Sequence, residues 1–208
     1  MQQAPMYVRT TYATGDPAKI GAALEALRSE APGLLAENSG YRGYGLFADR
    51  EIGKIIMGSW WESEQDRANS DKRLRERRAA LLAPFADTVT FDNWEAAVYT
   101  QTPQVSAGAG MRLGRLEFDP SNGDAFVQTY RDVGLPKLEA LPGFAGSALF
   151  IDRAAGRATV SLLFKDKAAL AASRGPNSAV RGESLAKAKV TLRSIEEFEV
   201  VLVERKAP

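Results

Sequence analysis

The sequence predicts an α+β fold of two tandem units, each in the order strand, helix, β-hairpin, helix, strand (βαββαβ), with two antiparallel sheets packed face to face. Two observations carry this. Gly40 to Gly53, GYRGYGLFADREIG, returns as Gly143 to Gly156, GFAGSALFIDRAAG, with Gly, Gly, Leu, Phe, Asp, Arg and Gly at matched places 103 residues apart. A match at one fixed offset marks internal duplication and not shared composition. The strand-like segments KIIMGSWWE, ATVSLLF and FEVVLVE, in turn, do not alternate apolar with polar residues. A sheet with one wet face would alternate, so both faces are expected to be covered, one by helices and the other by the second copy's sheet.

The elements follow in order. Met6 to Ala13, rich in Val, Thr and Tyr, reads as a strand that Gly15 stops; Asp16 then caps a helix with Pro17 in its first turn. Ile20, Leu24, Leu27 and Ala31 recur three or four apart and share one helix face, until Pro32-Gly33 disrupts the pattern. Tyr41 to Arg50 and Lys54 to Glu62 form a hairpin around Gly53. Ser63 with Asp66 opens a second helix carrying Leu74, Leu81, Leu82 and Phe85, and Thr88 to Thr100 is the last strand.

The second half repeats the order. Met111 to Phe118 is its first strand, and Asn122 to Leu141 its first helix, with a break expected at Gly134-Leu135-Pro136. Phe144 to Asp152 and Arg157 to Phe164 form the hairpin; Asp166 caps a helix that Gly175-Pro176 interrupts, and Thr191 to Glu204 closes the unit. TQTPQVSAGAG, from Thr100 to Gly110, is small, polar and uncharged, which divides the chain into units at 1–100 and 111–208 with a linker at 101–110.

Composition excludes more than it assigns. With 208 residues, 45% hydrophobic and 25% charged, the chain can bury one or two cores. Its 27 basic and 26 acidic residues leave a net +1, no field to recruit nucleic acid or an anionic membrane. There is no cysteine, hence no disulfide, thiolate nucleophile or cysteine-bound metal, and no histidine, hence no Ser-His-Asp triad, histidine-ligated haem or ordinary catalytic zinc. MQQAPMYVRT lacks a basic region ahead of an apolar core, and no apolar run approaches membrane-spanning length, so a soluble cytoplasmic protein is expected. The basic run Asp71 to Arg78 is interrupted by acids and reads as a solvated helix face, and the repeated Asp49-Arg50 and Asp152-Arg153 read as architecture at the hairpin turns.

LPGFAGSALFIDRAAGR at Leu141 to Arg157, GYRGYGLFADREIGK at Gly40 to Lys54 and WWESEQD at Trp60 to Asp66 resemble the antibiotic biosynthesis monooxygenase-like (ABM) members of the dimeric α+β barrel superfamily. The resemblance covers nearly the whole chain, once per half. It implies one ferredoxin-like unit per half, so that a single chain forms the pseudo-dimer that separate subunits usually build. It also implies a cofactor-independent monooxygenase, an oxidoreductase acting on an aromatic or quinol-type small molecule in a dry apolar cavity, or else a barrel that binds a small apolar ligand without catalysis or a scaffold that has lost its activity. Where the family often carries a histidine about nine residues after the hairpin tryptophan, this chain has Ser70 and Ser173. Haem degradation through a helix histidine is thereby disfavoured, and neither a cofactor nor a metal is expected.

Site candidates cluster in the first half. Tyr41, Tyr44, Trp60 and Trp61 lie on the hairpin, and Asn69 and Arg73 on the helix after it; their second-half counterparts include Phe144, Ser147, Leu163, Phe164 and Ala172, which are plainer packing residues. As a site, Trp60 and Trp61 form an aromatic wall with Tyr41, Tyr44 and Asn69 hydrogen-bond a substrate oxygen, and Arg73 steadies developing negative charge. As packing, the tryptophans are core, the tyrosines fill the sheet and the arginine is solvated.

Overall fold

The structure, a computed structural model, describes residues 4–103 and 105–206. Residues 1–3 and 207–208, at the outer ends of the two expected units, and Gln104 in the expected linker lie outside the described residues. Two compact units emerge: residues up to Trp94 together with those from Glu199 onward, and Glu95–Phe198.

The first unit holds β1 (Met6–Gly15), α1 (Ile20–Ala36), β2 (Tyr41–Asp49), β3 (Lys54–Trp61), α2 (Glu64–Leu82) and the first part of β4 (Ala86–Tyr99). The second holds β5 (Gly110–Glu117), α3 (Gly123–Thr129), a π turn at Tyr130–Gly134, α4 (Leu135–Glu139), β6 (Phe144–Asp152), β7 (Arg157–Phe164), α5 (Lys167–Ala172), α6 (Arg174–Ala188) and the first part of β8 (Thr191–Arg205). The unit boundaries fall inside β4 and β8, so each of these long strands begins in one unit and ends in the other. In the first unit the strand order is β4-β1-β3-β2-β8, with Tyr44 of β2 paired to Ser59 on one side and Glu204 on the other. In the second it is β8-β5-β7-β6-β4, with Glu95 paired to Ile151 and Gly114 to Val160. Two antiparallel, ferredoxin-like α+β units are therefore the fold.

Burial explains the unbroken apolar strands. Ile55, Met57 and Trp61 of β3 join Leu24 and Leu27 of α1 in one core, while the intervening Ile56 and Trp60 are buried on the opposite face. The second core repeats this with Leu149, Ile151, Leu162 and Phe164 against Phe126, Val127 and Leu138.

The duplicated motif is a turn device. Gly53 and Gly156 sit at φ +66° and +63°, and a Cβ there would come 2.1 Å from the Gly15 carbonyl oxygen and 2.3 Å from that of Phe118. The aspartates fold the turns: Asp49 accepts the Glu51 backbone N–H at 3.1 Å and Asp152 that of Ala155 at 3.0 Å. The arginines do something further. Arg50 pairs with Glu199 at 2.6 Å and Arg153 with Glu95 at 2.8 Å, and Glu199 and Glu95 are the first residues that β8 and β4 give to those units.

Helix starts follow the sequence. Asp16, Ser63 and Asp166 accept backbone N–H groups of Ala18, Asp66 and Ala169 at 2.9, 3.0 and 2.7 Å. Two expected breaks differ. α1 continues through Pro32 to Ala36, where Leu35 still packs on the core, so that packing offsets the lost hydrogen bond. At Gly134-Leu135-Pro136 the helix does not stop but widens into the π turn, whose longer reach tolerates the missing proline N–H. Gly175-Pro176 does follow an interruption: α5 ends at Ala172 and Pro176 falls in the first turn of α6.

Candidate functional site

Each unit holds a cavity between its sheet and its helices. The first, about 60 Å³ and open on one side, is lined by Arg9, Leu27, Tyr44, Ser59 and Arg78 among others; the second, about 70 Å³, by Arg112, Tyr130, Gly134, Arg181 and Ser184 among others. The two are copies. At the offset of the repeat, Arg9 matches Arg112, Ala31 matches Gly134, Leu35 matches Leu138, Arg78 matches Arg181 and Leu81 matches Ser184, and all of these line their cavities.

A phenol is present in both, supplied by different elements. In the first unit it is Tyr44 on β2, facing Leu27 on α1; in the second, Tyr130 on the π turn occupies Leu27's place and Ser147 on β6 occupies Tyr44's. Tyr130 and Ser147 hydrogen-bond to each other. The buried Tyr44 hydroxyl has no hydrogen-bond partner among the described residues. Burial pushes both phenols far above the ordinary tyrosine range, so Tyr44 stays protonated and offers a donor, not a base.

The arginines are held differently. Asp71 on α2 forms ion pairs with Arg9 and, at 2.6 Å, with Arg78. Burial alone would raise the Asp71 carboxyl, but Arg78 and Arg9 hold it below the usual carboxylate range. In the second unit Arg112 is only 4% exposed, and all its donors are used: two bonds to Glu197 at 2.7 and 3.1 Å, and one each to Ser173 at 2.9 Å, Asn177 at 3.1 Å and the Leu170 carbonyl at 2.9 Å. Ser173, where the resemblance places a histidine, is thus a partner of this arginine. Hydrogen bonding from Arg174, then from Arg112, keeps Glu197 below the usual carboxylate range against its burial.

The residues singled out from the sequence divide into three places. Tyr44 lines the first cavity, and Trp61, fully buried behind it, donates its indole N–H to the cavity residue Ser59 at 3.0 Å. Tyr41 stacks edge-on against Trp61 at 5.8 Å and donates its hydroxyl to Glu204 at 2.6 Å. Trp60 faces the other side of the sheet, with the Arg205 guanidinium 3.2 Å from its ring centre. Asn69 and Arg73 line a separate polar hollow on α2 with Asn38, Asp66 and Lys72. Arg9 and Arg78 escaped the sequence reading, although both recur at the repeat offset, because a charge on a strand or a basic helix looks solvated until its buried partner is known. Among the described residues no cluster of three or more carboxylates is placed to hold a metal ion, and no helix is long and apolar enough to cross a membrane.

No family model matches the chain. Among curated proteins, the uncharacterised Rv2557 of Mycobacterium tuberculosis is 26% identical over 98% of this chain and 91% of its own. Among solved structures, a candidate monooxygenase from Lactobacillus acidophilus superimposes with a TM-score of 0.71 at 10% identity, covering 98% of this chain and 97% of that one. An anthrone oxidase-like protein gives 0.69 at 14% identity, covering 99% and 95%. A ferredoxin-fold protein related to antibiotic biosynthesis monooxygenases, from Listeria monocytogenes, gives 0.57 at 10% identity, covering 95% of each chain. At these identities the likeness shows the fold alone, a ferredoxin-like α+β fold similar to that of the monooxygenase-like structures.

Proposed function

We propose that this chain, with the fold of the monooxygenase-like proteins, oxygenates a small aromatic or quinol-type molecule without a bound metal or flavin, at the first unit's cavity. The observation that carries the reading is Tyr44: a protonated, buried hydroxyl lacking a partner, in an apolar cavity beside the cationic Arg9 and Arg78. Such a group is costly to bury unless something else bonds it, and a substrate oxygen is the natural occupant. The hydroxyl would donate to a phenolate as it forms, while the two guanidiniums favour the anion. An activated ring methylene that takes up O2 and becomes a carbonyl keeps one oxygen atom and releases the other with its two hydrogens as water, so no outside reductant is needed. Trp61, through Ser59, would position the wall; Asn69 and Arg73 stand in the neighbouring polar hollow and would act at most on ligand entry.

A second reading is a barrel that binds a small apolar ligand, or one that has lost its activity. The size of the cavities favours the lost activity: about 60 and 70 Å³ is well below the ~150 Å³ that holds a benzene, as substrate or as ligand. Oxygenation therefore requires α1 and α2 to give way, or a ligand that lies partly in the open mouth. A quinol and anthrone panel read with an oxygen electrode separates the two. Protein-dependent O2 uptake that falls on Trp61→Ala supports the oxygenase, whereas ligand-dependent quenching of tryptophan fluorescence without uptake supports the binding protein.

A further inference from the structure

In the second cavity the chemistry of the polar groups points to a ligand. Asn177, Arg181 and Ser184 lie on one face of α6, at spacings of four and three, and all line the cavity. Asn177 is committed, its side-chain oxygen accepting from Arg112 at 3.1 Å and from Arg181 at 3.3 Å. Arg181 is not. Its only other side-chain bond among the described residues goes to the neutral Ser178 at 3.2 Å, and it has no carboxylate partner. Glu197 is paired with Arg112 and Arg174, and Glu183, two residues along α6, with Lys137 at 2.5 Å. The repeat makes the contrast plain, because Arg78, the counterpart of Arg181, is paired with Asp71, whose own counterpart is Arg174.

One turn further, the buried Ser184 hydroxyl has no hydrogen-bond partner among the described residues. It faces the π turn, since a Cβ added to Gly134 would lie 3.5 Å from it. A single insertion-like π turn inside a helix is frequently found where a ligand binds. The rest of the lining, Leu116, Phe126, Leu138 and Leu162 among it, is apolar. We propose that this cavity, widened from about 70 Å³ as α6 gives way, is a binding site for a small monoanion with an apolar body, a carboxylate or phenolate, whose charged end meets Arg181 and Ser184 while its body enters between β5, β7 and the π turn. A half-buried guanidinium without an anion is poorly compensated, and the same burial, together with Arg112, pushes Arg181 below the ordinary arginine range. The site is distinct from the Tyr44 cavity, so its failure leaves the oxygenase reading standing.

The test is an amide chemical-shift titration of the full-length chain with benzoate and with its neutral isostere benzamide. Benzoate is expected to shift the amides of Arg181, Ser184 and Gly134 and to bind about tenfold more tightly than benzamide, the worth of a charged hydrogen bond. Arg181→Gln should bring benzoate down to the benzamide level and Arg181→Lys should restore part of the difference, while Arg28→Gln, on the exposed face of α1 and outside both cavities, should leave it unchanged. Gly134→Leu, which fills the cavity, should abolish both. Equal affinity for the two probes, undiminished benzoate binding by Arg181→Gln, shifts confined to other residues, or no benzoate binding at all would each overturn the proposal.

Discussion

Tyr44 and Tyr130 are the same group in two energetic settings. One hydroxyl is buried without a partner, and the other bonds Ser147. Their removal is therefore expected to have opposite signs. Tyr44→Phe should leave stability unchanged or raise it by up to about 1 kcal/mol, while Tyr130→Phe should cost about 1 kcal/mol by stranding Ser147; urea unfolding of both variants decides this. Arg112 is the largest polar commitment in the second unit. Replacing it with Met removes one partner each from Asn177, Ser173 and Glu197 and leaves Glu197 with Arg174 alone, which should cost about 3 kcal/mol.

The carboxylates that hold these arginines set an acid limit. Asp71 and Glu197 both titrate below their unfolded values in the folded chain. For a depressed carboxylate the stabilisation is complete above the unfolded pKa, near 4 for Asp and Glu, and is lost as pH falls through the folded value. Urea midpoints should thus be flat from neutrality to about pH 5 and fall below about pH 4. Glu197→Gln should lower the neutral midpoint and make the acid fall shallower. None of these partnerships was legible in the sequence: Arg9, Arg112 and Asp71 look like surface charges, and only the tertiary fold brings them to buried partners.

At the scale of elements, most of the chain was legible because the signals are local. Caps, hairpins and the glycine turns each require particular residues within a few positions, and these are where the structure places them. The left-handed Gly53 and Gly156, each packed on a backbone carbonyl, are expected to resist substitution. Ala at either should cost more than the ~1 kcal/mol of backbone strain, since the chain must also move off the carbonyl. Pro32 and Gly134-Leu135-Pro136 were misleading for the opposite reason. A local break signal predicts only the lost hydrogen bond, and Leu35 and Leu138, packed on their cores, offset it.

At the scale of the molecule, the repeat announces two units, but the repeat alone does not reveal that β4 and β8 each run from one unit into the other. The repeated Asp-Arg corner acquires its second role there, as Arg50 and Arg153 secure the arriving strands. A chain ending at Phe198 would lose the strand that pairs with β2, and the amides of Tyr44 and Leu46 should then exchange with solvent far faster than in the full chain. An arginine-lined cavity recurs in both units, with the phenol on a strand in one and on a helix in the other. The first copy's candidate residues were partly legible, through the aromatic hairpin, although Trp60, Asn69 and Arg73 lie away from the cavity that Tyr44 lines.

The most direct test of the oxygenase reading compares O2 uptake by the wild-type chain and by Tyr44→Phe on one quinol or anthrone substrate, under identical conditions and with folding checked by circular dichroism. The account predicts uptake by the wild-type protein that drops at least about tenfold in the variant, as for a lost oxyanion donor. Uptake that is equal in the two proteins, or no greater than the protein-free rate in either, contradicts it.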